Sequence, residues 1–126
     1  MTPEEIALAI AELASDRKAV EIVQLDLRGL TSLADYFIIC TGRSDRQVRA
    51  IHDGIHLGMK NDHAMLPTRS DGVTQAQWIL MDYGDVIVHV FTPEMRDFYR
   101  LEELWGEAPV TKLAEATEPE PALPAA

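Results

Sequence analysis

Three stretches of the chain place apolar side chains at the spacing of an α-helix. The first starts after Thr2, a residue type that caps helices, and predicts a helix over residues 3–16. Ser44 caps the second stretch, which predicts a helix over residues 45–60. Thr92, which is followed by proline, opens the third. The side chains that the third helix is predicted to bury are Met95, Phe98, Leu101 and Trp105.

Runs of β-forming residues between these helices predict about five strands. They cover residues 19–27, 36–41, 64–68, 78–81 and 85–91. The second run is almost entirely apolar, which indicates a strand covered on both faces. The resulting order, α-β-β-α-β-β-β-α, predicts an α+β fold with a mixed β-sheet and three packed helices. The second strand, the second helix and the third strand are expected to form one right-handed parallel crossover.

The composition changes near the end of the chain. Residues 1–108 carry the periodic pattern and have the length of one domain. Residues 109–126 contain four prolines, many alanines and few side chains that could pack. Such a composition cannot offset the entropy of ordering the chain, so a disordered tail is predicted over residues 109–126.

The chain is strongly acidic, with 21 Asp and Glu against 11 Lys and Arg. A nucleic-acid binder normally presents a basic face, whereas the basic residues here are scattered apart from Arg43, Arg46 and Arg49. Little or no direct contact with nucleic acid is therefore expected. Acidity favours encounter with a basic protein, but it also serves solubility alone, and composition leaves both interpretations open.

Cys40 is the only cysteine, so an internal disulfide is excluded. The first residues lack the positively charged region of a signal peptide and the Arg- and Ser-rich pattern of a transit peptide. Apolar runs all fall well short of the ~20 residues that span a bilayer. These features predict a soluble, cytoplasmic protein without a membrane segment.

Two local patterns could carry catalytic chemistry. Gly42 and Ser44 lie between a buried strand and a helix, in a turn that resembles the phosphate-binding turn of nucleotidyltransferases. Those enzymes hold Mg²⁺ with clustered carboxylates, and only Asp53 lies at the expected distance. His52 and His56 share a helix face but lack the His-Glu pair of zinc hydrolases. No catalytic residue, metal or cofactor is predicted, and a nucleotide-binding or nucleotidyltransferase enzyme is kept as the alternative function.

Residues 78–91 combine two predicted strands, a tight turn and an acidic pair. A large aromatic residue beside acids is typical of a protein-binding hot spot. The other interpretation is that Trp78 and Tyr83 are ordinary core or edge residues of the sheet.

Three blocks of the chain resemble one known family. They are DYFIICTGRS at residues 35–44 with RQVRAI at 46–51, the segment 78–91, and RDFYRLEELWG at 96–106. All three are similar to blocks of the ribosomal silencing factors, the Iojap family, in the same order and at the same spacing. The resemblance covers about residues 4–109.

This resemblance implies a fold distantly similar to nucleotidyltransferases but without their catalytic acids. It implies a non-enzymatic protein that docks on the fourteenth protein of the large ribosomal subunit (uL14), at the face that meets the small subunit. The bound factor would block subunit joining and repress translation, chiefly when nutrients are short. Members of the family also often form homodimers. A basic ribosomal protein would attract an acidic factor, whereas the surrounding RNA would repel it.

The residues predicted to contact this partner lie in and near the second block. Asp82 and Asp85 flank a tight turn, so their side chains are expected to project outward and to pair with Lys or Arg. Trp78 offers a large apolar area at small entropic cost. The full predicted set is Trp78, Asp82, Tyr83, Asp85, Asp35 and His89.

Overall fold

The computed structural model describes residues 1–113 of the 126 in the sequence. In chain order its elements are α1 (Pro3–Asp16), β1 (Val20–Asp26), β2 (Tyr36–Thr41), α2 (Asp45–His63), β3 (Arg69–Asp71), β4 (Trp78–Asp82), β5 (Val86–Phe91), α3 (Pro93–Tyr99), α4 (Leu101–Leu104) and β6 (Val110–Lys112). The predicted α+β class is confirmed, with a sixth strand and a fourth short helix that were not predicted.

The six strands form one mixed sheet in the order β3-β4-β5-β2-β1-β6. β2 and β5 run parallel, and the other neighbours run antiparallel. β3 therefore runs parallel to β2, so α2 joins two parallel strands of one sheet, as predicted for the second and third strands. The two strands are not neighbours, because β4 and β5 lie between them. β5 is buried along its whole length, as a central strand must be, whereas β3 is short and largely exposed at the sheet edge.

Local signals set most element boundaries. α1 spans the predicted residues 3–16, and Thr2 and Glu5 form the predicted capping box. α2 continues past the predicted end at residue 60, because the chain leaves the helix only at Ala64, which adopts a left-handed conformation. β3 lies after the predicted residues 64–68, where its backbone can pair with β4.

α1 and α2 pack side by side on one face of the sheet. Gly54 and Gly58 are one helical turn apart in α2, where a glycine is unfavourable by propensity alone. A Cβ atom at Gly58 would lie 2.4 Å from a methyl of Leu13, and one at Gly54 would lie 2.6 Å from the side chain of Arg17. The two glycines therefore allow α1 to approach α2 closely, and the face beneath them holds the larger core of the protein.

The opposite face of the sheet is covered by the C-terminal segment. α3 ends at Arg100, whose left-handed backbone turns the chain, and α4 follows directly. Met95, Phe98, Leu101 and Trp105 were predicted to form one buried stripe. This prediction is wrong for Phe98, which is 75% exposed. Leu101 is buried, and Met95 and Trp105 pack partly against the second core. The turn at Arg100 ends α3 between Phe98 and Leu101, so the four residues do not lie on one continuous helix.

The sheet also includes residues that were predicted to lie in the tail. The backbone N–H of Asp26 donates to the carbonyl of Pro109, β6 pairs with β1, and Leu113 N–H donates to the carbonyl of Ile22. A tail beginning at residue 109 is therefore wrong for residues 109–113. The rest of the predicted tail lies outside the described residues.

Candidate functional site

The β4–β5 hairpin places alternate side chains on the sheet face that α3 and α4 cover only in part. Trp78 lies opposite Phe91, and Leu80 lies opposite His89. Because side chains alternate along a strand, Trp78, Leu80 and Asp82 point to the same face. Trp78 and Leu80 are half-buried, and Asp82 at the far end is partly exposed. The candidate site is this row, about 13 Å long at the ordinary rise of a strand.

Trp78 belongs neither to the closed core nor to free surface. Its indole stacks on Phe91 at a centroid distance of 5.0 Å and contacts the ring of Tyr99 at 4.6 Å. Its Nε1–H donates to Nδ1 of His89 over 3.1 Å. The indole N–H is therefore used within the protein, so only the apolar ring of Trp78 is left for other contacts.

His89 supports this arrangement from inside the fold. Its side chain is buried, and the ring of Phe37 packs against it edge-on at 4.5 Å. Burial lowers the pKa of the imidazole to about 4, so the ring is neutral near pH 7. A neutral ring that accepts at Nδ1 carries its proton on Nε2, and this buried atom has no hydrogen-bond partner among residues 1–113. In this conformation His89 is buried and contacts the half-buried Trp78 through this hydrogen bond.

The acidic residues of the predicted site meet at the turn end of the hairpin. Asp82 Oδ1 accepts the N–H of Gly84 over 2.8 Å, which shapes the turn. The carbonyl of Asp85 accepts the N–H of Asp35 over 2.8 Å, so these two residues are neighbours although fifty positions separate them. Asp85 is exposed, and Asp35 and Asp82 are partly exposed. The structure thus places these three acidic residues at the turn end of the hairpin, at the opposite end of β4 from Trp78.

Tyr83 is placed differently from the other predicted residues. Its side chain is buried in the core under α1 and α2, on the other side of the sheet from Trp78. Burial raises the pKa of its hydroxyl to about 12, and the hydroxyl has no hydrogen-bond partner among the described residues. Its placement is that of a core residue, as the second interpretation of the hairpin had it.

In the turn that resembles a phosphate-binding loop, the side chains of Ser44 and Gln47 cap the start of α2. Ser44 Oγ accepts the N–H of Gln47 over 3.1 Å, and Gln47 Oε1 accepts the N–H of Arg43 over 2.7 Å. Two backbone donors of this turn, the N–H groups of Arg43 and Gln47, are thus already bonded to side chains of the protein. Within residues 1–113, no group of three or more His, Cys, Asp or Glu side chains is close enough to hold a metal ion.

Sequence reasoning missed two residues of this face. Leu80 follows Trp78 by two positions, and the alternation of a strand could have placed it on the same face. Tyr99 contacts Trp78 from the end of α3, 21 positions later in the chain. That contact depends on how α3 docks on the sheet, and no local pattern indicates it.

Comparisons with known proteins extend over nearly the whole chain. A family model described as "Ribosomal silencing factor during starvation" matches residues 1–125. The Bacillus subtilis protein "Ribosomal silencing factor RsfS" is 40% identical over 113 residues, which are 90% of this chain and 95% of that protein.

Solved structures give the same result for the fold. A crystal structure of a Chromobacterium violaceum protein matches with a TM-score of 0.81 and 36% identity, over 94% of this chain and 98% of that one. A crystal structure from Bacillus halodurans matches with a TM-score of 0.77 and 35% identity, over 87% of this chain and 99% of that one. A search of the described helices finds none long and apolar enough to cross a membrane.

Proposed function

Because the chain belongs to the ribosomal silencing factor family, a family of ribosome-associated repressors of translation, we propose that it acts by docking on a basic protein of the large subunit. The proposed docking surface is the sheet face that carries Trp78. The proposed partner is the fourteenth protein of that subunit, as the resemblance implies. The observation that supports this surface best is the indole of Trp78, which is held in place but left partly exposed.

The charge of the chain fits such a partner. A net charge of -10 draws the protein toward basic ribosomal proteins and away from ribosomal RNA. Asp82 and Asp85 lie at the rim of the proposed surface, where charged residues mainly affect association rate and specificity. Trp78 lies on the apolar part, where an aromatic anchor carries most of the binding energy.

Repression by this route requires no catalytic step. A protein bound at the face where the subunits meet excludes the small subunit by its volume. The proposal therefore needs no metal and no cofactor, and it places the protein in the compartment of the ribosomes.

The proposal is tested by sedimentation. Purified protein mixed with either ribosomal subunit is expected to travel with the large subunit and not with the small one. Saturating amounts are expected to lower the yield of joined ribosomes when both subunits are combined. Travel with the small subunit alone, or undiminished joining at full occupancy of the large subunit, would show that the proposal is wrong.

Neutralising the acidic turn is expected to slow association. In the Asp82→Asn, Asp85→Asn variant, an oxygen still accepts the N–H of Gly84, so the turn can form without its charge. We expect an association rate several-fold lower at low salt and a flatter dependence on salt. The matched control is Glu12→Gln, Asp16→Asn, which removes two exposed charges from α1 on the other side of the sheet. Equal rates and salt slopes for both double variants would place the contact elsewhere.

A further inference from the structure

An exposed pair of aromatic side chains continues the surface of Trp78. Phe98 is 75% exposed and Tyr99 is 44% exposed, at the end of α3. The ring of Phe98 meets that of Tyr99 edge-on at 5.0 Å, and Tyr99 lies 4.6 Å from the ring of Trp78. The three rings form one aromatic row from solvent to the sheet face. Contiguous exposed apolar surface of this kind marks interaction sites more often than isolated apolar side chains do.

Phe98 lies on a short helix at the surface of the protein. α3 has seven residues, and none of them is buried. Arg100 then adopts a left-handed conformation with φ of 48° and ends the helix, and Leu101, the next residue, is buried. Left-handed conformations are uncommon for residues other than glycine. Phe98 thus lies near the end of a helix that contributes no buried residue to the core.

The aromatic row is also held in place from inside the fold. The guanidinium of Arg96 is largely buried and donates to Glu102 Oε2 over 2.6 and 3.1 Å. It also donates to the carbonyl of Glu21 over 2.7 Å and to Thr41 Oγ1 over 2.8 Å. Arg96 therefore ties α3 to α4, β1 and β2. A surface held in this way loses little conformational entropy when a partner binds.

We propose that Phe98 and Tyr99 extend the docking surface of Trp78 and contact the same basic ribosomal protein. This inference rests on the proposed function. Residues 93–107 hold five acidic side chains against two arginines. Arg96 is paired with Glu102, and Arg100 lies within 4.0 Å of Asp97 and 3.6 Å of Glu103, so the segment keeps an excess of negative charge. Acidic side chains around exposed rings suit Lys and Arg side chains, whose stems pack on aromatic surface and whose cations are attracted to ring faces. The same charges disfavour RNA as the occupant.

The first test is Phe98→Ser in the full chain. Its thermal unfolding midpoint is expected to stay near that of the unaltered protein, because the side chain is mostly in solvent. Its affinity for purified large subunits is expected to fall about tenfold or more, in the range of a hot-spot truncation. Leu57→Ser is the matched control, because Leu57 is 51% exposed on α2, beyond the opposite face of the sheet. We expect Leu57→Ser to leave the affinity unchanged.

A second measurement uses the unaltered protein and so does not depend on how a variant folds. Hydroxyl-radical footprinting on the large subunit is expected to show protection of Phe98 and Tyr99, with Leu57 modified as in the free protein. Equal modification of Phe98 in the free and bound protein would overturn the inference.

The outcomes separate this inference from its premise. If the unaltered protein does not bind large subunits, the proposed function fails. If it binds and Phe98→Ser binds equally well, the proposed function stands and the inference is wrong. A loss of self-association in Phe98→Ser, with unchanged affinity for large subunits, would assign the row to a contact between two copies of the chain and would also overturn the inference.

Discussion

Trp78→Ala is expected to weaken binding to large subunits by about thirtyfold or more, or about 2 kcal/mol. The substitution removes the ring that stacks on Phe91 and contacts Tyr99, so the proposed surface loses its central aromatic anchor. The loss is expected mainly in a faster dissociation rate, since charge and not apolar area governs association. Surface-immobilised large subunits would give both rates directly.

A loss of folding would mimic this result, so two further variants accompany it. Trp78→Phe keeps an aromatic ring and loses the hydrogen bond to His89, and it is expected to retain most of the affinity. Trp105→Ala removes another half-buried tryptophan of the same face, one that packs on Phe37. It is expected to reduce stability by packing loss without the thirtyfold loss of binding. Equal affinities for Trp105→Ala and Trp78→Ala would indicate a general effect of stability.

Acidification is expected to destabilise the fold through His89. Burial lowers its pKa from 6.5 to about 4, so between these values the unfolded chain binds a proton that the folded chain does not. The free energy of unfolding therefore falls as pH is lowered through this window, by about 3 kcal/mol once both values are passed. Protonation at Nδ1 also ends the hydrogen bond from Trp78. Urea unfolding at a series of pH values from 7.5 to 5 measures the slope.

The His89→Leu variant tests whether His89 causes this dependence of the free energy of unfolding on pH. Its absolute stability is expected to change, because the indole N–H loses its acceptor, but its stability should depend much less on pH above 5. The carboxyl groups with lowered pKa, on Glu4 and Asp26, lose their contributions only below their ordinary values and do not enter this range. The control is His63→Gln, at an exposed position, which is expected to keep the slope of the unaltered protein. An unchanged slope in His89→Leu would show that another group is responsible.

Much of the secondary structure was predictable because its causes are local. The capping box at Thr2 and Glu5 and the N-cap at Ser44 both form as the sequence pattern predicts. The apolar runs of β2 and β5 are strands buried on both faces. The turn between Asp82 and Asp85 was equally predictable from the sequence. The carboxylate of Asp82 accepts the N–H of Gly84, two residues on, and such a bond depends only on neighbouring residues.

The sequence by itself determined the three main helices, the first two strands, the acidity and the hairpin that carries Trp78. Spacing and residue type along a few positions suffice for these. Tertiary structure alone decided that β2 pairs with β5, that residues after Pro109 add a strand, that Tyr83 lies in the core and that Phe98 lies in solvent. Each of these depends on contacts between distant parts of the chain or on one left-handed residue. A repeating apolar pattern indicates which side chains can be buried. The packing of neighbouring helices and strands decides whether each of them is covered.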